Sequence, residues 1–352
     1  MLYGKKLKLA ILGCGMVADY HIKGVLETGD AEIVALCDSS SSVLARMLNK
    51  YKIGRGETDY ACILADENIN AVIICTPPHS HYQLAMEVIN AHKHVLIEKP
   101  FVITKSEMYS LQHKAANNPH LVVMESSARH SRLQPKFNYI KNLISSGDLG
   151  DIYAIHHNAV FRKSRPGIEY HADAKWFYDK KLAGGGPLID WGVYDLSFHL
   201  GILNDNVNLK YLKSFHVNGL DQKSANDKFS VEEHGIVMME FDNKLIYYWE
   251  RASNAHNEAL NETRIYGSKG GLKFNYLTWG SSKIIYYRLT RKGMSKKNLI
   301  PLEMGKHKTY LEDFYALDAH FVQCILGKQK PILPLSLSVK HLEIIFQALK
   351  TP

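Results

Sequence analysis

Four short runs of this 352-residue chain combine residue types that can do chemistry together. The first is Gly13-Cys14-Gly15-Met16-Val17-Ala18, which follows an apolar run (Leu7, Leu9, Ile11, Leu12) and opens a helical segment. Gly13 can take the positive φ of a tight turn, and Gly15 has no Cβ to hold the main chain away from a pyrophosphate. Ala18 stands where a third glycine is usual and still lets the helix lie close to the strand. The free N–H groups at this helix start face an anion. A lone G-x-G-x-x-A recurs by chance, but here Asp38 closes the next apolar run, Ile33 to Cys37, at the distance a dinucleotide fold requires. Its carboxylate would accept both ribose hydroxyls of an adenosine and repel a 2′-phosphate. The expected contacts are Gly13, Gly15, Met16, Val17 and Asp38, and the expected cofactor is NAD. NADP stays open because Ser39 to Ser42 offer hydroxyls to a phosphate.

The second run is Thr76-Pro77-Pro78-His79-Ser80-His81 and the third Glu98-Lys99-Pro100-Phe101, each directly after an apolar strand. The carboxyl ends of strands line the ligand crevice of a doubly wound sheet, so Thr76, Pro77, His81, Glu98 and Lys99 are placed beside the cofactor. His79 and His81 either cap the following helix or touch substrate. Lys99 either hydrogen-bonds a substrate oxygen, its pKa tuned by burial and charge, or is an exposed lysine paired with Glu98. Pro100 allows a cis peptide. The fourth run is Gly184-Gly185-Gly186-Pro187-Leu188-Ile189-Asp190-Trp191-Gly192-Val193-Tyr194-Asp195. Its glycines permit close approach to a flat ligand, and Pro187 suits a helix start. Asp190 and Tyr194, four apart, share a face of that helix, where a carboxylate and a phenol can bind a polyol and exchange a proton with it. The competing reading is a helix cap and a core tyrosine. His199 shares a face with Asp195 in the same way, and a structural contact is its expected role.

The elements that must position these groups fall into two textures. Strand and helix patterns alternate to about Met124: Ala71 to Ile74, His94 to Ile97 and Leu121 to Met124 read as strands, Tyr82 to Ala91 and Lys105 to Ala116 as helices. That is the pattern of a parallel sheet covered on both faces. From Asp151, strand-like runs dominate: Ile152 to Phe161, Val207 to Val217, His234 to Phe241, Leu245 to Arg251, Thr263 to Tyr266, Gly271 to Phe274 and Ile284 to Leu289. Turn signals between them predict a mainly antiparallel sheet. Further helices are expected at Tyr310 to Leu326 and Ser336 to Leu349. The division read from this is 1–124 for a Rossmann domain and 125–352 for a substrate-binding and oligomerisation domain.

Composition excludes several classes. Hydrophobic residues at 46% and charged ones at 22% describe a globular protein rather than a disordered one. The net charge of +8 is spread over short pairs such as Lys5-Lys6 and Lys180-Lys181, so no nucleic-acid partner is expected. The five cysteines form no C-x-x-C pair, no metal site is read, and the thiols look reduced and buried, as in the cytoplasm. No signal peptide or bilayer-spanning segment is recognised, so no membrane partner is expected.

Taken together, Gly13-x-Gly15-x-x-Ala18, Thr76-Pro77-x-x-x-His81, Glu98-Lys99-Pro100 and Gly184-Gly185-Gly186-x-Leu188-x-Asp190-x-Gly192 resemble the glucose-fructose oxidoreductase, inositol dehydrogenase and rhizopine-catabolism (Gfo/Idh/MocA) family in order and spacing. Gly147-Asp148-Leu149-Gly150-Asp151-Ile152 and Tyr266-Gly267-Ser268-Lys269-Gly270 extend the likeness over nearly the whole chain. The resemblance implies an N-terminal Rossmann domain, a C-terminal α/β domain with an open, mostly antiparallel sheet, and hydride transfer between NAD(P) and a sugar or cyclitol. It makes Lys99 the catalytic-site lysine and Asp190 the substrate-binding aspartate. Tyr194 stands where inositol dehydrogenases have histidine, as in glucose-fructose oxidoreductase, which favours a tyrosine-lysine pair. Ala91-His92 replaces the family's usual glycine at a helix C-cap. Arg162 and Trp176 are expected substrate contacts in a segment that also holds Lys163, Arg165, His171 and Lys175, where basic residues suit an acidic or phosphorylated sugar and a solvated loop is the plainer reading. A homodimer or homotetramer is expected. Two rivals share the fold: an NAD-dependent glycosidase that oxidises its sugar transiently, and a dinucleotide-binding sensor without turnover.

Overall fold

Apolar runs in the first third of the chain become strands β1 (Leu7–Leu12), β2 (Ala31–Cys37), β3 (Gly56–Glu57), β4 (Ala71–Ile74), β5 (His94–Ile97) and β6 (Val123–Glu125). They form one parallel sheet in the order β3-β2-β1-β4-β5-β6. Every residue of Leu9 to Leu12, Ala71 to Ile74 and Val95 to Ile97 is buried, which is why these strands read as continuous apolar runs rather than alternating ones. Sequence order reverses on either side of β1, which puts a ligand crevice at the carboxyl ends of β1, β2 and β4. This is a computed structural model, and it describes residues 6–162, 174–220, 230–279, 283–299, 307 and 309–350. Among the described residues no helix is long and apolar enough to cross a membrane.

The helices follow local rules. Lys105–Ala116 has the predicted bounds and a capping box, in which Thr104 accepts from the N–H of Glu107 while the Glu107 carboxylate accepts from the N–H of Thr104. Ser41–Tyr51 starts at Ser40, whose hydroxyl accepts from the Val43 N–H, and ends at Lys52 in the left-handed region. His92 also has a positive φ, 55°, so the position that lacks glycine keeps the left-handed conformation.

A second sheet carries β7 (Ile152–Val160), β8 (Leu209–Val217), β9 (His234–Phe241), β10 (Ile246–Ala252), β11 (Leu260–Gly267), β12 (Gly270–Phe274), β13 (Ile284–Thr290) and β14 (Gly293–Leu299). Its order is β14-β13-β12-β11-β7-β10-β9-β8, antiparallel except for the β7–β10 pair. The edge strand β14 was not expected, because Lys296 and Lys297 lie in a strand whose residues stay in water and so show no alternation. One face packs on the helix Gly192–Gly201, against which Pro135–Ser145 sets Phe137 edge-on to Phe198 at 5.6 Å.

Packing divides the chain differently from a single cut at 124. One unit comprises residues up to Arg129 together with Leu311–Val339, and the other His130–Tyr310 with Lys340–Pro352. The cause is the helix Leu311–Ile325, which lies on Met16–Glu27. A Cβ on Gly24 would stand 2.0 Å from the Asp318 carboxylate, so the glycine is what lets the two helices approach.

Candidate active site

In the first unit the glycine loop is built as its residue types require. Gly13 has φ +88° and a Cβ there would lie 2.8 Å from the Cys75–Thr76 backbone, whereas nothing lies within 4 Å of a Cβ on Gly15. The helix Met16–Glu27 begins at Gly15 with no side-chain cap, a Cβ on Gly15 would meet open space, and Ala18 is fully buried. Met16 and Val17, half-buried, form its first turn. The Asp38 carboxylate accepts from the Cys14 N–H at 2.7 Å and the Ser40 N–H at 2.8 Å, which fixes it at the end of β2. The Ser40 hydroxyl caps the helix that follows, accepting from the Val43 N–H. These features fit a dinucleotide: a cradle at Gly15, an uncapped helix start for the pyrophosphate and a rigid acceptor for a ribose diol.

Thr76 and Pro77 line the same crevice end after β4, with the Thr76 hydroxyl accepting from Ser80 at 2.7 Å. His81, the first residue of the helix His81–Asn90, is not its cap. It is fully buried, and its ring nitrogens meet the carbonyls of Pro100 at 2.8 Å and Thr76 at 2.7 Å, which ties the two crevice turns together. Burial pushes its pKa down against the pull of the two carbonyls.

Lys99 is buried rather than exposed, and the Lys99–Pro100 peptide is cis. Glu98, expected beside the cofactor, turns into the protein. Its carboxylate meets Arg129, His21 Nε2 at 3.0 Å and the Lys99 N–H at 3.1 Å. His21, fully buried, meets Asp318 through Nδ1 at 2.8 Å. Burial would raise the Glu98 pKa, but Arg129 and His21 hold it well below the usual carboxylate range. His21 escaped sequence reasoning because its partners lie 77 and 297 residues away.

In the second unit the glycine run meets protein, not a flat ligand. A Cβ on Gly186 would stand 1.9 Å from the Glu232 carbonyl oxygen, and the Glu232 carboxylate accepts from the N–H of Gly186 at 2.8 Å and of Leu188 at 3.0 Å. The expected single helix is two, Pro187–Asp190 and Gly192–Gly201, with Trp191 between. Gly192 fits under Trp249, whose ring would lie 2.5 Å from a Cβ there. The four-residue spacing of Asp190 and Tyr194 is therefore not carried by a continuous helix. Asp190 is 8% exposed and Tyr194 1%, with the tyrosine ring 4.9 Å from His130 and 5.7 Å from Trp191.

Behind them lies a buried polar cluster. Asp195 accepts from Trp249 Nε1 at 2.8 Å, from the Arg251 guanidinium and from Tyr276, and lies 3.0 Å from His157. Burial raises the Asp195 pKa, but Arg251 and His157 hold it well below the usual carboxylate value. His199, structural as expected, contacts Thr263 at 3.0 Å and Tyr247 at 2.7 Å rather than Asp195 by a side-chain bond. The helix periodicity signalled Asp195, whereas nothing in the sequence singled out His130 or Arg251.

Arg162 is exposed just beyond β7, and Trp176 is half-buried and stacked on Phe177 at 3.7 Å. Lys175 is exposed, while Lys163, Arg165 and His171 lie outside the described residues.

Two family profiles match this chain: the Gfo/Idh/MocA oxidoreductase family, NAD-binding Rossmann fold, over residues 7–126, and the Gfo/Idh/MocA C-terminal domain over residues 137–273. The chain is 28% identical over 278 residues to D-glucoside 3-dehydrogenase of Escherichia coli, spanning 75% of this chain and 76% of that protein. It is 29% identical over 158 residues to inositol 2-dehydrogenase of Salmonella typhimurium, spanning 44% and 46%. The structure of a levoglucosan dehydrogenase in complex with NADH and levoglucosan superposes with a TM-score of 0.80 at 19% identity, over 98% of this chain and 97% of that one, which is a likeness of fold.

Proposed function

Because this chain belongs to the Gfo/Idh/MocA oxidoreductase family, we propose that it is an NAD-dependent dehydrogenase of a sugar, sugar derivative or cyclitol, of the class EC 1.1.1. The observation that carries the reading is the Asp38 carboxylate, fixed by the Cys14 and Ser40 N–H groups beside an open Gly15 and an uncapped helix start. Asp38 accepts the adenosine ribose hydroxyls and opposes a 2′-phosphate, so NAD is preferred to NADP. When bound, the nicotinamide supplies the hydride acceptor. The relatives named for a glucoside and an inositol support a polyol substrate.

In this reading Tyr194 takes the proton of the substrate hydroxyl, the Lys99 ammonium favours the phenolate, and Asp190 accepts from a neighbouring hydroxyl and so orients the ring. The enzyme is proposed to work in the cytoplasm as a homodimer or homotetramer. Titrating NAD and NADP against the protein, then screening a sugar and cyclitol panel by NADH absorbance, tests both halves. Tighter NADP binding overturns the cofactor assignment, and a panel without turnover overturns the dehydrogenase.

A further inference from the structure

We propose that four aromatic side chains around Tyr194 form a subsite for the part of the substrate outside its reacting ring, so that neutral glycosides bearing an aryl group or a second pyranose are preferred to free monosaccharides. This rests on the dehydrogenase reading above. Ring centroids step from Tyr194 to His130 at 4.9 Å, from His130 to Trp279 at 5.8 Å and from Trp279 to Tyr310 at 6.2 Å, and Trp191 flanks Tyr194 at 5.7 Å. Exposure rises along the same path: Tyr194 is 1% and His130 7% exposed, Trp191 and Trp279 are half-buried, and Tyr310 is 40% exposed.

The outer rings, Trp279 and Tyr310, therefore keep part of their surface open to a ligand, while the inner ones are packed. The wall is also held rigid. Lys136, itself buried, donates to the carbonyls of Asn275 and Thr278 and to the Thr278 hydroxyl, which anchors the residue before Trp279 to the helix Pro135–Ser145. That ammonium is turned to protein oxygens, and the Arg251 guanidinium, 5.4 Å from the Trp191 ring, is held by the Asp195 carboxylate. An electron-rich ring face suits the C–H face of a pyranose or another aromatic ring, and not a charged group. The wall continues three rings beyond the tyrosine, more than one sugar ring covers.

The test compares glucose with phenyl β-D-glucopyranoside as substrates of the wild type, Trp279→Ala and Tyr310→Ala. The wild type is expected to favour the phenyl glucoside. Trp279→Ala should lower its kcat/KM for that glucoside about 5- to 10-fold, mostly through KM, while glucose changes less than about 2-fold. Tyr310→Ala, at the exposed end, shows the same selectivity to a smaller extent and carries the test if Trp279→Ala does not fold. Equal losses on both sugars, or no preference in the wild type, overturn the subsite. If neither sugar reduces NAD, the dehydrogenase reading is judged by the wider sugar and cyclitol panel, and saturation-transfer NMR with NADH present still judges the wall. Transfer to the phenyl protons that weakens in the variants supports it, and none in the wild type overturns it.

Discussion

At the scale of single residues, the proposed chemistry asks most of Tyr194. A free tyrosine has a pKa of about 10, so a base role near neutrality needs a cation, and the reading gives that task to Lys99. General acid–base steps contribute about 10²- to 10⁴-fold, so Tyr194→Phe should lower turnover by that order while NAD affinity stays almost unchanged. Lys99→Ala should do at least as much damage. Near-normal turnover in Tyr194→Phe together with loss in Lys99→Ala would make the lysine the proton carrier and the tyrosine a packing residue; steady-state kinetics with dinucleotide titration separates the two. Lys99 and Asp190 are proposed for chemistry from residue type, position and family likeness, and the fold buries both. Glu98 and His81 were legible as crevice residues but not as what they are, because the choice between facing a ligand and bracing the backbone depends on partners such as Arg129 and the Pro100 carbonyl.

At the scale of elements, His21 shows how helix packing sets electrostatics. The residue lies on Met16–Glu27 and receives Asp318 from Leu311–Ile325 and Glu98 from the end of β5. Burial alone would lower its pKa, but the two carboxylates raise it to about 9. The folded-state value exceeds the unfolded one, so the imidazolium's contribution to stability is complete below about pH 6.5 and is lost as pH rises through about 9. Thermal unfolding should therefore show the wild type losing stability across that window, with a shallower slope in His21→Gln. Equal slopes would mean that His21 does not hold the proton. The glycine run teaches the same lesson at another element. Gly185 and Gly186 do stand against a close neighbour, and that neighbour is Glu232, 46 residues on from Gly186.

At the scale of the whole molecule, the open face of the second sheet carries the remaining expectation. Cross-strand register puts Tyr211, Phe215, Val217, Met238, Ile246, Leu260, Leu289 and Met294 on one face, and each is more than 40% exposed. The same face holds a groove of about 500 Å³ between Tyr153, Tyr266 and Tyr287. An apolar face of this extent calls for cover, and a second copy of the chain is the proposed one. Light scattering at micromolar concentration should report a dimer or tetramer, and Phe215→Glu should shift the population toward monomer. A wild-type monomer at that concentration removes the proposal.

Local and periodic information was enough to determine the glycine loop, the acid at the end of β2, the alternation of the parallel sheet, most of the antiparallel strands and the family itself. Those features depend on neighbours within a few tens of residues, where hydrophobic period, turn chemistry and cap residues act directly. Tertiary structure alone decided that Leu311–Ile325 packs with the first unit, that the Asp190-to-Tyr194 run breaks at Trp191, and that Glu98, His81 and the glycines answer to protein groups. For His21 with Asp318, Gly186 with Glu232 and Gly192 with Trp249 the deciding partner lies far along the chain, whereas His81 meets the Thr76 and Pro100 carbonyls, 5 and 19 residues away, in a pairing of turns that residue type does not announce. A side chain's type states which contacts it can make, and only the folded packing selects which of them it does make.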